Sequence, residues 1–86
     1  MPRICQFYGI IITMNYNDHE PPHFHVTYGG SRAVVGFDPV GVTRGTLPRG
    51  VQSMVFEWSA LHLAELRENW RRARNQQALL RIEPLD

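Results

Sequence analysis

Two adjacent glycines, Gly29 and Gly30, separate the alternating run His23 to Tyr28 from a second run of small and β-branched residues that begins at Ser31. A two-residue type I′ turn needs positive φ at both central positions, so a Gly-Gly pair between such runs predicts a β-hairpin. That turn fixes a register. Tyr28 opposes Ser31, Thr27 opposes Arg32, Val26 opposes Ala33, His25 opposes Val34, Phe24 opposes Val35 and His23 opposes Gly36. The apolar pairs Val26–Ala33 and Phe24–Val35 then share one face, while His23, His25 and Thr27 share the other. A slip of one residue would exchange the two faces, so the pattern strongly constrains the pairing.

The rest of the chain is read outward from this hairpin. Tyr8 to Met14 is β-branched and aromatic enough for a strand, Tyr16-Asn17-Asp18 opens a loop, and Pro21-Pro22 stiffens its far end. A second turn at Asp38-Pro39-Val40-Gly41, with Gly41 left-handed at a bulge, would place Gly36 opposite Arg44. Leu47-Pro48 ends the strands, and proline suits the first turn of a helix. From Arg49 to Arg74 no proline intervenes, and Val51, Val55, Trp58, His62, Leu66 and Ala73 fall within an arc of about 80° at helical spacing. Glu57, Arg67, Glu68, Arg71 and Arg74 occupy the opposite face. The expected architecture is α+β: a small antiparallel sheet of three to four strands in β-β-β-β-α order, with one long C-terminal helix packed on one face. Residues 1–86 should form a single domain, with 76–86 as an extended C-terminal tail docked on a sheet edge.

Composition narrows the functional classes. Hydrophobic content of 43% and charged content of 20% are those of a soluble globular chain, and no apolar run approaches the roughly 20 residues of a membrane span. The apolar stretch Phe7 to Met14 lacks the flanking features of a signal peptide. The single cysteine, Cys5, excludes an internal disulfide and fits a reducing cytoplasm. A net charge of +1 gives no global attraction to nucleic acid or membrane, but all nine basic residues are arginine, whose planar fork suits carboxylate and phosphate.

Chemistry concentrates in Asp18-His19-Glu20-Pro21-Pro22-His23-Phe24-His25, which holds three of the four histidines. His23 and His25 should project from one strand face, away from the helix, with His19 arriving from the stiff loop. One reading is a divalent transition-metal site formed by His19, His23 and His25. A second is acid–base work on a phosphodiester such as RNA, with His23 and His25 as acid and base and His19 assisting. Arg32 and Arg44, on or near the same face, would stabilise the developing negative charge. In either reading Asp18 or Glu20 could orient an imidazole, and Asp18, Arg32 and Arg44 are the candidate binding residues. A third is a solvated sheet face that docks another protein or a second copy of the chain. His62 lies on the buried helical stripe, apart from this cluster. Asn69 should hydrogen-bond the last strand or the tail, while Trp58 fills the core and Trp70 forms a lid.

Several segments together resemble a known bacterial family, domain of unknown function 4160. These are Phe7-Tyr8-Gly9-Ile10, Tyr16-Asn17-Asp18-His19-Glu20-Pro21-Pro22-His23-Phe24-His25-Val26, Tyr28-Gly29-Gly30, Leu47-Pro48-Arg49, Glu57-Trp58, Leu61-His62, Glu68-Asn69-Trp70 and Ile82-Glu83-Pro84-Leu85. Arg32 and Arg44 lie outside the family pattern. The resemblance implies a short cytoplasmic protein encoded beside another small protein, domain of unknown function 2442, in an arrangement similar to a toxin–antitoxin pair. The functional expectation is therefore a small bacterial interaction module of such a two-gene system. A ribonuclease-like, His-dependent enzyme and a metal-binding module are the alternatives.

Overall fold

The computed structural model describes residues 2–86. Five strands, β1 (Arg3–Phe7), β2 (Ile10–Thr13), β3 (His23–Tyr28), β4 (Ser31–Phe37) and β5 (Val40–Gly45), form one antiparallel meander in sequence order. Two helices follow, α1 (Arg49–Leu61) and α2 (Leu63–Arg74). The α+β class and the antiparallel sheet are as expected. The counts are not: there are five strands instead of three to four, and two helices instead of one.

The central hairpin has the expected register, from Tyr28↔Ser31 to His23↔Gly36, but the turn is not type I′: Gly29 has a φ of 54° and Gly30 is not at positive φ. Phe24, Val26, Ala33 and Val35 are buried together beneath the helices. The extra strand lies at the N-terminus. Tyr8 and Gly9, expected to begin a strand, form a tight turn with φ of 50° and 79°, and Phe7 pairs with Ile10 across it. β1 carries an irregularity between Arg3 and Cys5, which lets Ile4 and Cys5 both be buried although strict alternation would expose one.

The β4–β5 pairing also differs from expectation. Phe37 opposes Val40, so Asp38-Pro39 is a two-residue connection, and Gly36 faces Gly41 instead of Arg44. The bulge falls later, where Val35↔Val42 is followed by Val34↔Arg44. Arg44 is therefore aligned in one rank with Val34 and His25.

The helical break is at His62, whose φ of −120° and ψ of 26° lie outside the helix. Its amide still bonds the Trp58 and Ser59 carbonyls, at 3.1 and 3.3 Å, and its carbonyl accepts from Leu66 N–H at 2.9 Å. The apolar stripe survives the break: Val51, Val55, Trp58, Leu66, Trp70 and Ala73 are buried against the sheet. Trp58 meets Phe24 edge-on at 5.7 Å and Phe7 at 6.0 Å. Leu61, which periodicity puts beside the stripe, is exposed.

Helix α2 ends in a left-handed Gln76 with φ of 61°, and Gln77 N–H returns to the Arg72 carbonyl at 2.9 Å. This is the hydrogen bond of a Schellman cap. The chain then runs back across the molecule. Asn69, fully buried, donates to Leu80 O at 2.8 Å and accepts from Leu80 N–H at 2.9 Å. Trp58 Nε1 donates to Glu83 O at 2.8 Å, and Ile82 N–H donates to Ile4 O on β1 at 2.8 Å. Among the described residues no helix is long and apolar enough to cross a membrane.

Candidate metal centre

The loop between β2 and β3 is held by helix α2. Asn17 N–H donates to Ala73 O at 3.4 Å, and Asn17 adopts a left-handed φ of 54°. Glu20 accepts from Trp70 Nε1 at 3.3 Å and pairs with Arg74 through the same oxygen. Phe37 N–H reaches Pro22 O at 3.4 Å, which carries the β3–β4 ladder one step past His23. These contacts turn Asp18 inward.

Asp18 Oδ2 is the hub of the cluster. It lies 2.9 Å from His23 Nε2 and 3.2 Å from His25 Nε2, with Asn15 Nδ2 at 3.5 Å. Its other oxygen accepts from His19 N–H at 2.9 Å. Burial pushes the Asp18 carboxyl up. Hydrogen bonds from His25, the His19 amide and His23, together with the charge of His23, outweigh that and hold it at about 2.

His23 is 4% exposed, its ring lying 5.2 Å from that of Trp70. On the sheet it stands on the same face as His25, but the indole of α2 reaches around to cover it. His23 Nδ1 donates to Pro21 O at 2.8 Å, which leaves Nε2 directed at the Asp18 carboxylate. A neutral ring in that tautomer would aim a lone pair at a negative oxygen. The contact therefore requires a positive charge between the two, either a proton or a metal ion. His25 has a similar conflict: Nε2 lies 3.3 Å from Asn15 Nδ2 and 3.2 Å from Asp18 Oδ2, so one nitrogen faces both a donor and an acceptor.

One ligand atom each from Asp18, His23 and His25 lies within 4.8 Å of the others. Ligands of a tetrahedral ion with bonds of 2.0–2.1 Å stand roughly 3.3 Å apart, close to the spacing around Oδ2. The converging set thus differs from His19, His23 and His25, because Asp18 takes the place of His19. The His19 side chain is 83% exposed, with Nδ1 3.2 Å from Glu20 O, though its ring remains 5.1 Å from His23. The loop backbone turns Asp18 inward and leaves His19 at the rim. The sequence offers Asp18 as a candidate binding residue but carries no sign that its side chain, and not that of His19, turns inward.

His62 is elsewhere, bonded to Glu65 Oε1 at 2.6 Å and packed on Trp58 at 5.7 Å. Arg32 and Arg44 both stand with His25 on the outer face. One cleft of about 280 Å³ is lined by His19, His23, His25, Gly36, Thr43 and Arg44. A second, of about 350 Å³, is lined by His25, Thr27, Arg32, Val34, Arg44 and Gly45 among others.

The histidine loop, the hairpin and most of the helical region fall inside one family model, described as Domain of unknown function (DUF4160), which matches residues 9–71. The chain belongs to this family. The DUF4160 match takes in every residue of the Asp18–His23–His25 cluster, with Arg32 and Arg44, but leaves out β1 and the tail that pairs with it. No curated protein and no solved structure matches the chain significantly.

Proposed function

We propose that this DUF4160 protein is a metal-binding module, its ion held by Asp18 Oδ2, His23 Nε2 and His25 Nε2. The observation that carries the reading is the state of His23. Pro21 O fixes a proton on Nδ1, and the buried Nε2 then faces the Asp18 carboxylate at 2.9 Å. Ligating histidines characteristically donate their second ring N–H to a backbone carbonyl in this way, which selects the tautomer and orients the ring. A cation placed between the three groups relieves the repulsion of both Nε2 lone pairs by Asp18 Oδ2, and Asn15 Nδ2 keeps Asp18 Oδ2 as its acceptor.

Two imidazoles and one carboxylate, with no thiolate, suit zinc and the neighbouring divalent transition metals more than calcium or magnesium. Three protein ligands leave at least one position for water or an anion, as in metal sites that act on substrates. The 280 Å³ cleft provides space at the site. The ring of Trp70 covers His23, so the ion would be shielded on one side.

Calorimetric titration of chelator-treated protein with Zn²⁺, checked by elemental analysis, tests the proposal. The expected result is one ion per chain, lost in Asp18→Ala and His25→Ala and kept in His19→Ala and His62→Ala. Absence of heat and of bound metal in the wild-type protein would overturn it, as would full binding by Asp18→Ala.

A further inference from the structure

We infer that the groove running from this centre across β3, β4 and β5 receives a single-stranded phosphodiester chain, with Arg44 and Arg32 each holding a phosphate. The inference rests on the metal-module reading for one end of the groove, where the ion would add positive charge. The remainder stands on the arginines and on the shape of the sheet face.

The two clefts share His25, Val34 and Arg44, so they form one continuous depression on the outer face. Its floor is made by short side chains and glycines, with Thr27, Val34, Gly36 and Gly45 among the lining residues. Among the described residues no aspartate or glutamate lines either cleft. Four arginines of α2 spend their charge on carboxylates: Arg67 on Asp38, Arg71 and Arg72 on Glu68, and Arg74 on Glu20. Arg32 and Arg44 make no ion pair among the described residues, and both border this groove. Their guanidinium forks are thus left for an external anion, and phosphate oxygens match that geometry.

Spacing argues for a repeating anion over a compact one. Arg44 is in rank with Val34, and Arg32 lies two residues further along β4, which separates the two ranks by roughly 7 Å. The depression spans three strands, roughly 10 Å across, a width for one polynucleotide strand. No tryptophan, tyrosine or phenylalanine lines it, so bases find no stacking platform. Recognition would rest on the backbone and be indifferent to sequence.

The test uses the zinc-loaded protein and a fluorescein-labelled single-stranded octauridylate, followed by anisotropy between about 50 and 200 mM salt. Two phosphate contacts predict a log–log salt slope of about −1.4, falling to about −0.7 in Arg32→Ala or Arg44→Ala, with affinity reduced at least ~10-fold. Zinc content and melting temperature are measured on the same samples and should be unchanged in both variants. Unaltered affinity in both arginine variants would overturn the inference. So would absence of binding by the wild type, or displacement by inorganic phosphate as effectively as by unlabelled octauridylate, which would mark a single-anion site. Arginine-dependent binding by a protein that takes up no zinc would sink the metal reading alone. Zinc uptake with arginine-independent binding would sink the groove alone.

Discussion

Replacing Asp18 with asparagine separates the two roles its carboxylate plays. In metal-free protein, the folded state holds this carboxyl at about 2, against an ordinary value of 3.8. At about 1.4 kcal/mol per pKa unit, that difference is worth about 2 kcal/mol of stability at neutral pH. The group is largely shielded, with the side chain 16% exposed, so solvent screening removes little of it. A domain of this size loses roughly 4–8 °C of melting temperature per kcal/mol, so metal-free Asp18→Asn should melt roughly 8–16 °C below the wild type. Metal adds a second readout. Zinc at 100 times its dissociation constant stabilises a folded protein by about 2.7 kcal/mol, a rise of roughly 10–20 °C for the wild type. If losing the carboxylate weakens zinc ~100-fold, the same concentration gives the variant only about 0.4 kcal/mol, or a few degrees. Thermal melts of both proteins, with chelator and with zinc, give all four numbers. A variant that melts with the metal-free wild type and gains the same increment from zinc would refute the reasoning at both steps.

Three further outcomes concern the Asp18 carboxyl at low pH, the loop that carries it, and the C-terminal tail. Because the Asp18 carboxyl is depressed in the folded state, its contribution is complete above pH 3.8 and is lost as pH falls toward about 2. Denaturant titrations of metal-free protein across that window should show a steeper loss of stability in the wild type than in Asp18→Asn. Glu20→Gln should cost less than about 1 kcal/mol of stability, since its pair with Arg74 is well exposed on both sides. It should nevertheless weaken zinc about 10-fold in calorimetry, because Glu20 ties the Asp18 loop to α2. Asn69→Ala leaves Leu80 N–H and O without their partners in a shielded place and should cost about 2–3 kcal/mol in chemical denaturation. Hydrogen exchange should then accelerate at the Ile82 amide, which depends on the tail staying against β1.

What the sequence displayed, and what it concealed, has a physical pattern. The β3–β4 register was legible because Gly29-Gly30 meets the steric demand of a tight turn and the flanking apolar pairs agree with it. The first strand was hidden because its turn uses Tyr8 at positive φ, a conformation that aromatic residues disfavour and no turn rule anticipates. Its alternation is also interrupted, since Ile4 and Cys5 are both buried. The break at His62 was hidden for the opposite reason: neither glycine nor proline marks it, and the apolar stripe continues across it in phase. Asn69 was readable as a polar intrusion needing a partner, and it found the tail. The histidine pair on β3 was visible from alternation alone. The inward turn of Asp18 was not, because it depends on Glu20 meeting Trp70 and Arg74, some fifty residues away in the chain.

The contact between Trp70 and His23 also makes the molecule its own optical instrument. The chain has two tryptophans, and Trp58 is sealed in the core with its indole N–H committed to Glu83 O. Trp70 instead rests 5.2 Å from the His23 ring and donates to Glu20, so its emission should respond to whatever occupies Nε2 of that ring. A Trp58→Phe protein would report binding at the centre by intensity and lifetime, without label or dye. The same indole that shuts solvent away from His23 thereby turns the state of a hidden site into a signal readable at the surface.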